Sequence, residues 1–324
     1  MSTLTGRVRR RLLSPPVSQT TFAVRGFTGE PAARARLERV GAQFLVGLEA
    51  GLSAGSVSEV AHTLAGIDRV HRGFGYEGAS MGLAVADALS PYPRQLVRDF
   101  VAGPAAAHVY MVHVGIGWAM ARLPRPLWRR VLLPDPLLRW LALDGYGFHQ
   151  AYFHTDRYVH RHRPIRVRPP WSDPSGYAAR AADQGVGRAL WFVAGADVQR
   201  LGNEVTRFAP ARHADLWSGV GLAATYAGGA DPDRLQTLRT LAGDHRHGLA
   251  QGAAFAAQAR LRAGLVTPEV EAATAALCGT DVERAAAVTD AALVALPTDA
   301  AEQPAYEVWR QRIAGRLRDP AQYR

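Results

Sequence analysis

Apolar and small side chains recur along this chain at helical spacing, in segments broken by glycine and proline. From Pro31, PAARARLERVGAQFLVGLEAGL puts its apolar residues on one face and a proline in its first turn, which predicts a long helix. Ser56 or Ser58 is placed to cap a second helix, SEVAHTLAGIDRV. Beyond about residue 174 the alternation becomes regular. PSGYAARAADQGVGRALWFV precedes DVQRLGNEVTRF, PARHADLWSGVGLAATYAGG precedes DPDRLQTLRTLA, and RHGLAQGAAFAAQARLRAG precedes TPEVEAATAALCG. Each pair reads as a long helix, a glycine turn, an Asp-led or Thr-Pro start and a shorter helix. Period-two alternation is nearly absent, so no hairpin or βαβ unit is predicted.

Within this pattern one cassette returns six times: YEGASMGLAV, HVGIGWAMARL, DGYGFHQAYF, QGVGRALWFV, SGVGLAATYAGG and QGAAFAAQAR. Their first glycines are Gly78, Gly115, Gly145, Gly185, Gly219 and Gly252, spaced 30–40 residues apart. A helical motif with that period predicts an all-α superhelical array of αα-hairpins, tetratricopeptide-like in its repeat length. The expected organisation is an irregular N-terminal arm over 1–30 and a single repeat domain over 31–318. A basic loop inserted at 154–173 and a short tail at 319–324 complete it.

Glycine inside a helix costs about 1 kcal/mol relative to alanine, so its recurrence needs a compensating gain. Four residues after the first glycine, on the same face, five cassettes carry Gly82, Ala119, Ala189, Ala223 or Ala256. Such a face lets a neighbouring backbone come close. The sixth cassette has His149 in that slot, amid Tyr146, Phe148, Tyr152 and Phe153. Just before the first glycine stand Glu77, Val114, Asp144, Gln184, Ser218 and Gln251, five of them polar. These side chains either hydrogen-bond between repeats or line a groove. In the groove case Glu77, Asp144, His149 and Asp183 are the candidate acid–base residues. Tyr146, Arg188, Trp191, Trp217 and Tyr226 would then supply charge and flat apolar walls for a substrate.

Composition narrows the chemistry. All 38 basic residues are arginine, which excludes a Schiff-base lysine and a Walker-type phosphate loop. The Gly-X-Gly pairs follow no strand and lack a correctly placed third glycine, so they are not a dinucleotide fingerprint. The formal charge of +10 favours acidic partners. The arginines are scattered and no nucleic-acid-binding motif accompanies them, so an acidic carrier protein is the better expectation. In FHTDRYVHRHRPIRVRPPWSDP, His154, His160 and His162 lie among five arginines. That setting disfavours a divalent metal and suits a solvated loop or a docking surface for an acidic protein. The lone Cys278 cannot form an internal disulfide. Arg7, Arg9, Arg10 and Arg11 begin like a targeting peptide, but Ser14-Pro15-Pro16 interrupts the apolar core such a peptide needs. With no run of about 18 apolar residues, a cytoplasmic location is expected.

The blocks RGFGYEGASMGLAVADAL, FVAGPAAAHVYMVHVGIGWAMARL, LLRWLALDGYGFHQAYFH, AADQGVGRALWFVAGADV and DLWSGVGLAATYAGG together resemble the UnbL family. This is a domain of unknown function encoded in enediyne biosynthetic gene clusters, and the similarity runs from about Phe27 to about Ala295. The resemblance implies an accessory protein beside an iterative polyketide synthase, one that binds a linear polyene and assists its conversion to the enediyne core. It carries over no catalytic residues and no cofactor. The alternative from another class is a non-catalytic scaffold that docks an acyl carrier domain or partner enzymes.

Overall fold

In the computed structural model, which describes residues 4–92 and 94–318, every regular element is helical and no strand occurs among the described residues. The chain divides into two compact units. One holds the described chain up to Gly26 and Glu38–Tyr146; the other holds Phe27–Leu37 and the chain from Gly147 on.

The first unit begins with α1 (Leu4–Leu13) and the single turn α2 (Phe22–Arg25). An irregular arm was expected here. The segment is instead helical and anchored, with Arg9 Nε donating to the Leu52 carbonyl at 3.2 Å. The tail at 319–324 lies outside the described residues. Helix α3 (Pro31–Ser53) starts at its proline as predicted. In α4 (Val57–Ala65), Ser56 is the cap: its hydroxyl accepts from Glu59 N, and Glu59 Oε2 accepts from Gly55 N at 3.1 Å. Then follow α5 (Arg72–Ala88), α6 (Leu96–Ala102), α7 (Val109–Arg122), α8 (Trp128–Val131) and the first turns of α9 (Arg139–Phe153). Asp87 caps α6 through the amides of Leu96 and Val97.

The second unit contains the remainder of α9, then α10 (Tyr177–Val193), α11 (Val198–Val205), α12 (His213–Ala227) and α13 (Pro232–Leu241). It ends with α14 (Arg246–Arg262), α15 (Pro268–Cys278), α16 (Val282–Ala291) and α17 (Ala305–Arg318). The long helices α10, α12 and α14 pack side by side in sequence order. The shorter helices start where the turn chemistry places them: Asp197, Asp231 and Asp281 each accept first-turn amides.

The cassette glycines explain this packing through two registers. In the first unit a Cβ on Gly115 would overlap the Glu77 carbonyl, and one on Gly145 the Val114 carbonyl. In the second, Gly219 faces the carbonyl of Gln184 and Gly252 that of Ser218 in the same way. In these four cassettes the first glycine meets the residue preceding the first glycine of the cassette before it. The second glycine looks forward: Gly117 to Ala142, Gly147 to Ala182, Gly187 to Leu216 and Gly221 to Leu249, in each case three residues before the next cassette's first glycine. Any side chain at these positions would force the rods apart, and the close approach recovers dispersion along both backbones.

Among the described residues no single helix is long and apolar enough to cross a membrane.

Candidate functional site

The four acid–base candidates are all buried. Glu77 and Asp144 belong to the first unit, on α5 and α9; His149 and Asp183 belong to the second, on α9 and α10. The His149 ring lies 4.8 Å from that of Phe153. Asp183 is already engaged: Arg212 grips it with a fork, Nη2 to Oδ1 at 2.6 Å and Nε to Oδ2 at 2.8 Å. Burial lifts the Asp183 carboxyl above its ordinary pKa, with the Arg212 guanidinium working against that rise. A carboxylate held this way positions Arg212.

The proposed binding walls hold helices together. Trp191 is wholly buried, and its indole N–H donates to the Gly228 carbonyl at 2.9 Å. Gly228 sits at φ +69°, just past the end of α12. The two preceding carbonyls are also answered, Ala227 by Arg36 Nε at 2.7 Å and Tyr226 by Arg260 Nη2 at 2.5 Å. The Arg260 guanidinium also stacks 4.0 Å above the Tyr226 ring. Together these groups answer carbonyls that the end of α12 leaves without intrahelical donors. Trp217 is buried in the same helix, and Arg188 lies 4.7 Å over the Phe148 ring. Tyr146, half-buried, packs edge-on to Trp128.

Of the two readings of the polar residues before the glycines, hydrogen bonding between helices holds for Gln184, Ser218 and Gln251. Ser218 Oγ donates to Gln251 Oε1 at 2.7 Å, and Gln184 Oε1 accepts from Tyr306 OH on α17 at 3.5 Å. They adjoin a charge cluster that sequence reasoning missed. Arg180 binds Asp215 and Glu307, each at 2.8 Å. Arg310 Nη1 reaches Asp215 Oδ1 at 2.8 Å, Glu307 Oε2 at 2.6 Å and Tyr177 OH at 2.8 Å, while its Nε donates to Gln251 at 3.2 Å. Two guanidiniums and two carboxylates cancel, tying α17 to α10, α12 and α14. Burial works to raise the Glu307 carboxyl, but Arg310 and Arg180 overrule it and hold the group below its ordinary value. Burial pushes the Tyr177 hydroxyl well above its ordinary range, so it remains a protonated donor. Only the three-residue spacing of Glu307 and Arg310, which puts them on one face of α17, signalled this cluster in the sequence.

The basic insertion is the part of the second unit that keeps its charge. After α9 the chain makes one turn of wide helix over Asp156–His160, then runs irregularly to α10. Val159 and Ile165 are buried and pin the loop to the core. Between them His162 adopts φ +51°, a left-handed conformation that persists only where surroundings impose it. Here Glu204 Oε1 lies 3.1 Å from His162 Nε2, the Phe208 ring meets the imidazole edge-on, and Arg212 Nη1 donates to the His162 carbonyl at 2.8 Å. Asp183 therefore fixes the loop through Arg212. Asp173 closes its far end by accepting from the amides of Tyr177 and Ala178.

Arg157, Tyr158, Arg163, Pro164 and Arg166 surround a concavity of about 300 Å³. The Arg163 amide donates to the Arg157 carbonyl at 3.2 Å, which brings the two arginines to one rim. All three guanidiniums are exposed, and no carboxylate answers any of them among the described residues. Their neighbours differ: Arg161 pairs with Asp156 at 2.9 Å, Arg207 with Glu204, and Arg212 with Asp183. The arrangement offers forked donors on a rigid frame, suited to an oxyanion.

No curated protein and no solved structure matches this chain. Residues 4–317 match the family described as "Protein of unknown function (DUF1702)", and the chain belongs to that family.

Proposed function

We propose that this protein is a cytoplasmic accessory component of enediyne-type polyketide biosynthesis, which docks an acidic carrier domain on its basic loop. The helices would form a superhelical array of αα-hairpins that serves as a stiff mount for that loop. One observation carries the reading: three arginines converge on a single concavity without an acidic partner among the described residues. Side chains with no role in the fold's own ion pairs are available to a partner, and a net charge of +10 favours encounter with an acidic one. The pathway comes from the family resemblance of the cassette blocks. The test is a titration of the purified protein with an acidic acyl carrier domain at several salt concentrations. Micromolar binding that weakens steeply with salt, and falls in Arg157→Ala and Arg163→Ala, supports docking. No binding at low salt rejects it.

A second reading is favoured by the aromatic concentration around His149, where Tyr152 lies within 6.2 Å of the rings of Phe148, Phe153 and Phe192. There the protein would hold a linear polyene and assist its conversion by acid–base chemistry. Incubation with the synthase's polyene product should then change its mass or absorbance, and His149→Ala should abolish the change while retaining the fold.

A further inference from the structure

We infer that the concavity of the basic loop is a phosphate-binding site, and that the phosphate it takes is the phosphodiester of the carrier's phosphopantetheine arm. This rests on the docking reading above and goes further, since a carrier domain could dock through its acidic surface alone.

Three features single out a phosphate. The first is the donor set. Guanidinium forks match the oxygen geometry of phosphate as well as carboxylate, and up to three of them surround this one space. Tyr158 adds a hydroxyl donor, and its ring carries the Arg157 guanidinium at 5.3 Å, which limits the conformations open to that arginine. The second feature is size. A volume of about 300 Å³ is at the lower end of small-ligand sites, enough for a phosphate with a few attached atoms. A flat acidic protein surface would have no use for a depression at all.

The third feature is rigidity. Loop side chains usually lose much of their freedom on binding, which weakens affinity. This loop is ordered beforehand by the burial of Val159 and Ile165, the left-handed His162 with its Glu204 partner, and the Asp183–Arg212 fork. Pro164 restricts Arg163 to extended backbone, and the Arg163–Arg157 amide bond fixes the rim. A fold that only needed a soluble basic loop would have no reason to specify it at four points. A nucleic-acid backbone presents many phosphates in a row and is served by a track of arginines; here they gather at one point.

The experiment uses the full chain and four probes, with a short oligonucleotide as a comparison ligand: an acyl carrier domain with a free serine, the same domain carrying phosphopantetheine, free phosphopantetheine, and pantetheine without phosphate. Charge-assisted bonds of this kind are worth about 1.5–3 kcal/mol, so the modified carrier should bind at least about tenfold tighter than the unmodified one. Free phosphopantetheine should compete and pantetheine should not. Arg157→Ala and Arg163→Ala should reduce the modified carrier to the unmodified carrier's affinity, with thermal unfolding unchanged. Equal binding of both carriers, lost in the arginine variants, overturns the phosphate site and leaves docking intact. Binding of free phosphopantetheine without binding of either carrier upholds the site and overturns the carrier as its source. Failure of all four probes overturns both, and tighter binding of a short oligonucleotide than of the modified carrier assigns the arginines to nucleic acid instead.

Discussion

The second unit handles arginine in two opposite ways. Arg310 lies buried against Asp215 and Glu307, and Arg180, 44% exposed, completes the neutral cluster from the surface side. Around Arg157, Arg163 and Arg166 the same side chain is exposed, with no carboxylate beside it among the described residues. Residue type does not separate these regions. Burial does. A charge leaving water loses solvation worth several kcal/mol and must recover it from a partner, whereas an exposed charge keeps its hydration and can wait for a ligand. The closed cluster therefore belongs to folding, and the open one is where we propose recognition.

The sharpest way to break this contrast is Asp215→Ala. It leaves Arg310 buried against a single carboxylate, and the expected loss is about 3–5 kcal/mol in chemical denaturation. A loss no larger than that of an exposed arginine would dissolve the distinction. His113 tests the same rule from the other side. It is buried on α7, and its Nδ1 has no hydrogen-bond partner among the described residues. Burial lowers its pKa to about 4, with Asp135 opposing. Between that value and the unfolded 6.5, the unfolded chain holds a proton that the native one refuses. Stability should thus fall as pH drops from 6.5 to 4, by on the order of 3 kcal/mol, and level off below. Urea midpoints across that range, compared with His113→Phe, measure the effect; an unchanged slope in the variant removes His113 as its source.

A buried neutral bond should matter less than a buried charge. Trp191→Phe deprives the Gly228 carbonyl of its donor while keeping most of the packing, at an expected cost of about 1–2 kcal/mol. Smallest of all should be Arg163→Ala, within about 0.5 kcal/mol of the parent in stability although carrier binding falls. Should that variant unfold, the loop arginine has a role in the fold after all.

Legibility in the sequence followed the range of each interaction. The helices, the Ser56 cap, the Asp-Pro start at Asp231 and the spacing of the cassette glycines were readable, because each depends on residues a few positions apart. The all-helical class followed from them. The helix over Leu4–Leu13 was hidden by its arginines and the prolines after it. The sequence marks Asp183 as an acid–base candidate, but its partner Arg212 lies 29 residues away, and the carboxylate positions that arginine. Trp191 and Tyr226 looked like binding walls because an aromatic residue on a helix gives no local sign of which backbone it will meet.

The amino-acid order alone determined that this chain is helical, where its rods begin and end, and which faces are bare enough to let backbones touch. Those properties arise from steric and hydrogen-bonding preferences within one or two turns. The folded chain decided which charges are neutralised and which remain. That outcome depends on solvent exclusion and on pairings between residues 29 to 127 positions apart, such as Arg212 with Asp183 and Arg180 with Glu307, and neither exists until the helices have packed.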